Sequence, residues 1–188
     1  MAGEVSKDIT KRFLLPPEIV EAHEKGIIHF HDSDYFAQHM HNCCLVNLED
    51  MLQNGTVIGE TMIEKPHSFL TACNIATQAI AQIASCQYGG QSITMSHLAP
   101  FVQISREKFQ REVRREMETT GVQVSDDIIN EIAELRVKRE IKQGVQTIQY
   151  QVITLMTTNG QAPFITMFMY LNEVPEGRLR DDLALIIE

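Results

Sequence analysis

Residues 68–90, SFLTACNIATQAIAQIASCQYGG, carry the clearest structural signal of the chain. Small and apolar residues cover most of the helical circumference, which predicts a buried α-helix from Ser68 to Tyr88 that ends at the glycine pair. Five residues at helical spacing interrupt this apolar surface, all of them polar and uncharged: Thr71, Asn74, Gln78, Gln82 and Ser85. The stripe predicts either a helix crossing inside the subunit or a surface that reads an uncharged group such as a base edge.

Strand and helix signals alternate in the rest of the chain, and residues 1–15 are assigned little structure. The predicted elements are, in order, a helix after Pro16-Pro17 that stops at Gly26, a segment at 27–35 that begins as a strand and runs into a turn, a strand at 42–48, a helical turn at 49–55, helices from Leu98 to Thr120 and from Ser125 to about Met156, a strand from Pro163 and a helix from Arg178. A few strands connected by long helical segments predict an α/β protein. Three strands are too few to cover so much helix, which indicates part of a larger fold.

Composition and charge exclude several classes of protein. The chain has 188 residues, with 44% hydrophobic and 22% charged residues, as is ordinary for a single globular domain. A net charge of −9 argues against general electrostatic binding of nucleic acid. No run is long and apolar enough for a transmembrane helix, so no membrane partner is expected. Four cysteines without a CxxC pair fit a reducing compartment, and we expect a cytoplasmic protein.

Residues 29–44 concentrate the chemically active side chains, with four of the seven histidines and two of the four cysteines. A metal site is one interpretation, although no spacing here matches a known zinc pattern. On an extended chain His29 and His31 share one face, as do His39 and His41. Redox or radical chemistry at a cysteine is the second interpretation, and inert cysteines are the third.

Strand alternation distinguishes the two adjacent cysteines. Neighbours on a strand point to opposite faces, so Cys43 shares a face with Asn47, and Cys44 shares the other with Val46 and Leu48. The face with Asn47 is the more polar. We therefore predict that Cys43 faces a site and that Cys44 packs as a small apolar core residue.

Five blocks of sequence, taken together and in order, resemble the anaerobic (class III) ribonucleoside-triphosphate reductases. The blocks are GIIHFHDSDY (26–35), HNCCLVNL (41–48), IEKPHSFLTACNIATQAIAQIASCQYGGQSI (63–93), LAPFVQISREK (98–108) and TTNGQAPFITM (157–167). The resemblance runs from about residue 13 to residue 171. Agreement of several blocks in order is more specific than any one motif.

The resemblance implies a fold and a reaction. The fold is the ten-stranded α/β barrel of glycyl-radical enzymes, here with a first-strand region at 27–48, a helical effector and dimer region at 68–157 and the next strand at 163–172. The reaction is the anaerobic reduction of ribonucleoside triphosphates to deoxyribonucleotides. A radical-SAM activating enzyme makes the glycyl radical, which forms a thiyl radical on a finger-loop cysteine. The radical-bearing glycine, the finger-loop cysteine and the family's zinc site belong to later parts of the family's chain. Residues 1–188 alone are therefore expected to be inactive.

The resemblance also implies site residues. Cys43 matches the first-strand cysteine that helps reduce substrate, and the HxHD block places His29 and His31 near the same end of the barrel. A deoxynucleoside triphosphate or ATP effector, bound with magnesium at a homodimer interface, is assigned to Glu64, His67, Gln78 and Lys108. The backbone at Gly89 and Gly90 is a further candidate for contact with phosphate, since glycine permits close approach.

Residues 89–93, GGQSI, are interpreted as a turn. The helix that follows this turn is expected to place positive charge beside the effector. Arg106 and Lys108 begin this charged helix, and the turn would bring their positive charge near the end of the apolar helix. A protein of net charge −9 needs such local cations to bind a triphosphate.

Two alternative functions remain open from the sequence. A pyruvate formate-lyase-like glycyl-radical enzyme fits the adjacent pair Cys43-Cys44, but the HxHDxDY block and the nucleotide-site helix favour the reductase. A stand-alone nucleotide- or metal-binding module belongs to another class. Nucleotide-binding tests and metal analysis would distinguish it from an enzyme.

Overall fold

The computed structural model describes residues 2–38, 40–156 and 162–188. They form two compact units, a small unit of Met1–Cys43 with Cys86–Gly89 and a large unit of Cys44–Ser85 with Gly90–Glu188. This division concerns compactness alone, and the single domain predicted for residues 1–188 stays a prediction. The mixed α/β class is confirmed.

The small unit consists mainly of short helices and turns. Its helical elements are α1 (Ala2–Ile9), a π-helix (Thr10–Leu14) and α2 (Pro17–Glu24). The low structure assigned to residues 1–15 was therefore wrong. The helix after the proline pair is confirmed, with Pro17 in its first turn, where the missing N–H group costs no hydrogen bond.

The large unit holds all the strands of the described residues. Its elements are β1 (Cys44–Leu45), α3 (Leu48–Asn54), β2 (Thr56–Ile58), β3 (Thr61–Ile63), α4 (Phe69–Ser85), β4 (Gln91–Thr94), a 3₁₀-helix (Met95–His97), α5 (Pro100–Thr120), α6 (Asp126–Thr154), β5 (Ile165–Phe168), a second 3₁₀-helix (Leu171–Glu173) and α7 (Arg178–Ile187). None of the helices in the described residues is long and apolar enough to span a membrane.

A parallel sheet in the order β1-β4-β5 organises the large unit. Cys44 pairs with Gln91, and Gln91 pairs with Ile165, so the middle strand is β4. The sequence interpretation of this strand as part of a turn was wrong. Residues 91–94 contain a single aliphatic side chain, and the strand forms because its partners lie far away in sequence. The hairpin of β2 and β3 was also missed.

Helix α4 is the centre of the hydrophobic core, as its composition predicts. Phe69, Ala72 and Cys73 are fully buried, and Ile80 is nearly so. Gly144 on α6 explains how closely the two helices pack, because a Cβ atom there would lie 2.6 Å from Cε1 of Phe69 and 2.9 Å from Sγ of Cys73. Helix α4 itself ends at Ser85, three residues before the predicted end.

Helices α5 and α6 form the long hairpin that the sequence predicts. Gly121, with φ 71°, ends α5 in the left-handed conformation that favours glycine. The Ser125 side chain accepts a hydrogen bond from the backbone N–H of Ile128 and caps α6. Helix α6 ends at Thr154, two residues before the predicted end at about Met156.

Candidate functional sites

The predicted alternation of the two cysteines is confirmed in burial. Val46 and Leu48 are buried and Cys44 packs against the same core, whereas Cys43 and Leu45 are exposed. The strand is shorter than predicted, because only Cys44–Leu45 pair with β4. Cys43 therefore lies at the entry to β1, with its thiol open to solvent. Its redox role stays a prediction.

The segment that leads into Cys43 is held by residues 86–89 of the same unit. The N–H group of Tyr88 donates to the carbonyl of His41 at 3.1 Å, and the N–H group of Gly89 donates to that of Asn42 at 2.8 Å. The Tyr88 ring also stacks on Tyr35, with the centroids 4.6 Å apart. Residues after α4 thus fix the backbone just before the cysteine.

The histidine pair comes together, although not on a strand. The strand predicted at the start of residues 27–35 was wrong, because residues 27–30 form no strand, whereas the turn predicted to follow is present at residues 31–37. Nε2 of His29 nevertheless lies 3.3 Å from Nδ1 of His31, and Nε2 of His31 lies 3.3 Å from a carboxylate oxygen of Asp32. Asp32 has a φ of 53°, a left-handed conformation that Asp tolerates better than most residues. The result is an exposed Asp–His–His row.

Neither histidine contacts Cys43 by a hydrogen bond or ring contact within residues 2–38 and 40–43, so their predicted role stays a prediction. In the part of the chain that the structure describes, no group of three or more His, Cys, Asp or Glu side chains is arranged to hold a metal ion. His39, one of the four clustered histidines, lies outside the described residues.

The remaining cysteines differ in their surroundings. Burial raises the pKa of the Cys73 thiol, and the nearby Glu140 carboxylate raises it further. A thiol with a raised pKa is seldom a thiolate and is a poor nucleophile. Cys86 is exposed, just after the end of α4, and none of the four cysteines forms a disulfide bond.

Three of the four predicted effector residues lie near the start of α4, two before it in the chain and one on the helix that contacts it. Glu64 and His67 lie exposed between β3 and α4. The N–H group of Phe69, at the start of α4, donates to Oγ of Ser105 on α5 at 2.7 Å. Lys108 follows Ser105 by one helical turn, so it lies near the start of α4. The expectation that α5 brings charge to the other end of α4 was wrong, because β4 carries the chain back along that helix.

Gln78 lies on the same helix but further from this region. It is nine residues beyond Phe69, which at 1.5 Å per residue corresponds to about 14 Å along α4. Gln78, Gln82, Thr71 and Asn74 are exposed on one face, as the stripe predicts. Asn74 accepts a hydrogen bond from Gln151 of α6 at 3.3 Å, so part of the stripe pairs with a helix of the same chain.

Arg106 does not provide a free charge for a phosphate group. Its guanidinium is buried and binds both carboxylate oxygens of Asp182, at 3.1 and 2.5 Å, and Glu134 at 2.5 Å. Burial alone would lower the pKa of Arg106, but the hydrogen bonds with Asp182 and Glu134 and their charges raise it overall. The expectation for Arg106 was wrong. Among ion pairs of the described residues none involves Lys108, whose Nζ lies 5.3 Å from the Phe109 ring centroid.

The glycine pair serves two different neighbours. A Cβ atom on Gly89 would collide with Asn42, whereas one on Gly90 would lie at an ordinary 3.6 Å from Phe164. Contact with phosphate at either glycine stays a prediction. Asn42, Asp32 and Gln151 were missed by sequence reasoning. Asn42 had a signal, its place directly before Cys43 in the motif, and so did Asp32, which is the acidic residue of the HxHD block; Gln151 had none.

A family model described as anaerobic ribonucleoside-triphosphate reductase matches residues 1–188. The chain is 41% identical to the anaerobic ribonucleoside-triphosphate reductase of Haemophilus influenzae over 182 residues, which covers 95% of this chain and 25% of that protein. It is 39% identical to the Escherichia coli protein of that name over 188 residues, covering 98% and 25%. For the Enterobacteria phage T4 protein of that name the identity is 39%, covering 89% and 27%. The chain thus spans about a quarter of the length of these curated relatives.

The fold is also similar to a solved structure. The anaerobic ribonucleotide reductase from Thermotoga maritima, crystallised in complex with dATP and CTP, matches with a TM-score of 0.62 at 16% identity. The match covers 99% of this chain and 30% of that one. At this identity the similarity concerns the fold.

Proposed function

Because the chain belongs to the anaerobic ribonucleoside-triphosphate reductase family, we propose that it forms part of an enzyme that reduces ribonucleoside triphosphates to deoxyribonucleoside triphosphates. The observation that carries the proposal is the exposed Cys43 at the entry to a parallel strand, beside a core-facing Cys44. In this proposal the β1-β4-β5 sheet is part of a ten-stranded barrel, which the rest of a longer protein completes.

The residues of this chain would supply a thiol and its surroundings. Cys43 donates a weak S–H hydrogen bond to Oδ1 of Asn42 at 3.3 Å, which orients the thiol. The His29 and His31 rings, whose nitrogens lie 3.3 Å apart, offer groups that can donate or accept hydrogen bonds. A glycyl radical carried by another part of the protein would supply the one-electron chemistry. A radical-SAM activating enzyme is the partner that would generate it.

Turnover by a longer protein that carries this chain tests the proposal. After anaerobic activation, that protein should convert a ribonucleoside triphosphate to its deoxy form, detected by chromatography of the products. The isolated 188-residue chain should give no product, since the radical-bearing glycine and the finger-loop cysteine of the family are not found in it. Failure of the activated longer protein to form any deoxynucleotide would contradict the assignment, as would turnover by the isolated chain.

Effector binding is the second part of the proposal. A deoxynucleoside triphosphate or ATP, together with magnesium, would bind at a homodimer interface where the polar stripe of α4 faces a second copy. The support is geometric: the start of α4, which follows Glu64 and His67 in the chain, is hydrogen-bonded to Ser105 of α5, one helical turn before Lys108. Lys108 has no ion-pair partner among the described residues, so its charge is available to phosphate oxygens.

Lys108→Ala should weaken binding of a deoxynucleoside triphosphate by about 1.5–3 kcal/mol, the range for hydrogen bonds to charged groups. Calorimetric titration of the longer, dimeric protein measures this, and Gln78→Ala should weaken binding by less. Arg115→Ala is the matched control, because Arg115 is an exposed cation two turns further along α5. If the Lys108 and Arg115 substitutions weakened binding equally, the effect would come from long-range charge. That result would contradict the placement of the effector site in this region.

A further inference from the structure

The close approach of Gly89 to Asn42 is the tightest glycine contact of the described residues. An ideal Cβ atom on Gly89 would lie 2.3 Å from both the carbonyl oxygen and Oδ1 of Asn42, and 2.7 Å from its carbonyl carbon. Two of these atoms are backbone, so the neighbour cannot swing away as a flexible side chain would. Any residue other than glycine at position 89 must therefore displace Asn42.

Asn42 in turn holds the thiol of the next residue. The Cys43 Sγ donates to Oδ1 of Asn42 at 3.3 Å, and the N–H group of Gly89 fixes the carbonyl of Asn42 at 2.8 Å. The same Oδ1 atom thus accepts from the thiol and borders the space that a side chain at position 89 would fill. The close contact at Gly89 and the orientation of the thiol therefore depend on the same Asn42 side chain.

We propose that Gly89 and Asn42 are positioning residues for Cys43: the missing side chain of Gly89 lets Asn42 reach the cysteine, and Asn42 accepts the S–H hydrogen bond and so holds it in a fixed direction. The inference rests on the proposed function, in which Cys43 is the reactive thiol. This role gives Gly89 a purpose other than contact with phosphate.

Raman spectra of the S–H stretching band test the inference in the 188-residue chain. Subtracting the spectrum of Cys43→Ser isolates the Cys43 band, which lies at lower frequency when the thiol donates a hydrogen bond. Asn42→Ala and Gly89→Ala should each move this band to the frequency of a thiol that is bonded only to water, because Cys43 is exposed. Gly90→Ala is the matched control and should leave the band in place, since its Cβ atom meets Phe164 at 3.6 Å.

Alkylation by iodoacetamide at neutral pH gives a second readout, with the modified residue located by tandem mass spectrometry. Loss of the thiol hydrogen bond should increase the alkylation rate of Cys43 by about two- to tenfold in Asn42→Ala and in Gly89→Ala. The double variant should react no faster than Asn42→Ala, because Gly89 acts through Asn42. Cys86 is exposed in the same unit, and its rate serves as the internal reference for local unfolding.

The outcomes separate this inference from the proposed function. If Asn42→Ala changed neither the S–H band nor the alkylation rate of Cys43, the inference would be overturned. Asn42→Ala removes no backbone atom, so it tests the inference even if Gly89→Ala fails to fold. Additive effects in the double variant would also overturn it. None of these results depends on turnover. If a longer protein reduced nucleotides but Asn42→Ala left Cys43 unchanged, the proposed function would stand and the positioning role would be contradicted.

Discussion

Replacing Asp182 with alanine is expected to lower the free energy of unfolding of the large unit by about 3–5 kcal/mol, the cost of leaving a buried charge without its partner. Asp182 is 1% exposed and Arg106 is 4% exposed, so water cannot replace the lost carboxylate. The pair joins α5 to α7 through two hydrogen bonds, at 3.1 and 2.5 Å. Glu134 of α6 is only a partial substitute, because it also pairs with Arg178.

Urea unfolding followed by circular dichroism measures the effect. Asp181→Ala is the matched control: Asp181 is the exposed neighbour in the first turn of α7, where a carboxylate contributes about 0.3–1 kcal/mol through the helix dipole. Arg106→Met combined with Asp182→Leu should recover most of the loss, since apolar side chains remove the unpaired charge. A similar loss in Asp181→Ala and Asp182→Ala would mean that the buried pair has no special role.

This ion pair shows a limit of sequence reasoning about charge. The sequence places Arg106 and Lys108 two residues apart on one charged helix, and both were expected near a phosphate. Which cation is neutralised inside the protein depends on Asp182, 76 residues away, and on how α7 packs against α5. Helical periodicity contains no such information, so only Lys108 remains available.

Local rules succeeded where the cause is local. The burial pattern from Cys43 to Leu48 follows from the two-residue period of a strand and needs no knowledge of its partners. The ends of the α5–α6 hairpin follow from Gly121 and the cap at Ser125. The hairpin at residues 56–63 also had a local signal, the two-residue connection Gly59-Glu60 with φ 64° at the glycine, which the sequence interpretation overlooked.

Elements that depend on distant partners could not be predicted. Strand β4 contains Gln91 and Ser92, and it becomes a central strand only because β1 and β5 flank it. His29 and His31 were predicted to share the face of a strand, but their rings come together on a segment that is not a strand. The contact of Gly89 with Asn42 joins segments 47 positions apart, so a glycine pair after a helix was interpreted only as a stop or a phosphate contact.

Cys43→Ser is expected to abolish nucleotide reduction in a longer protein that carries this chain, while the glycyl radical still forms on activation. Serine keeps the size and the hydrogen-bonding geometry but lacks a sulfur that can take part in one-electron chemistry. Cys43 is exposed at the entry to β1, so the substitution should leave stability within about 0.5 kcal/mol. Product analysis after anaerobic activation measures turnover, and electron paramagnetic resonance measures the radical.

Cys44→Ser is the matched control, because the same atom changes at the adjacent position. Cys44 is half-buried and packs against the core formed by Val46 and Leu48, so a hydroxyl there should cost about 1 kcal/mol of stability and little turnover. An active Cys43→Ser enzyme beside an inactive Cys44→Ser enzyme would reverse the assignment of the two faces. If both variants were inactive but kept the radical, an adjacent pair of reactive cysteines would be indicated, which is the arrangement that the pyruvate formate-lyase alternative requires.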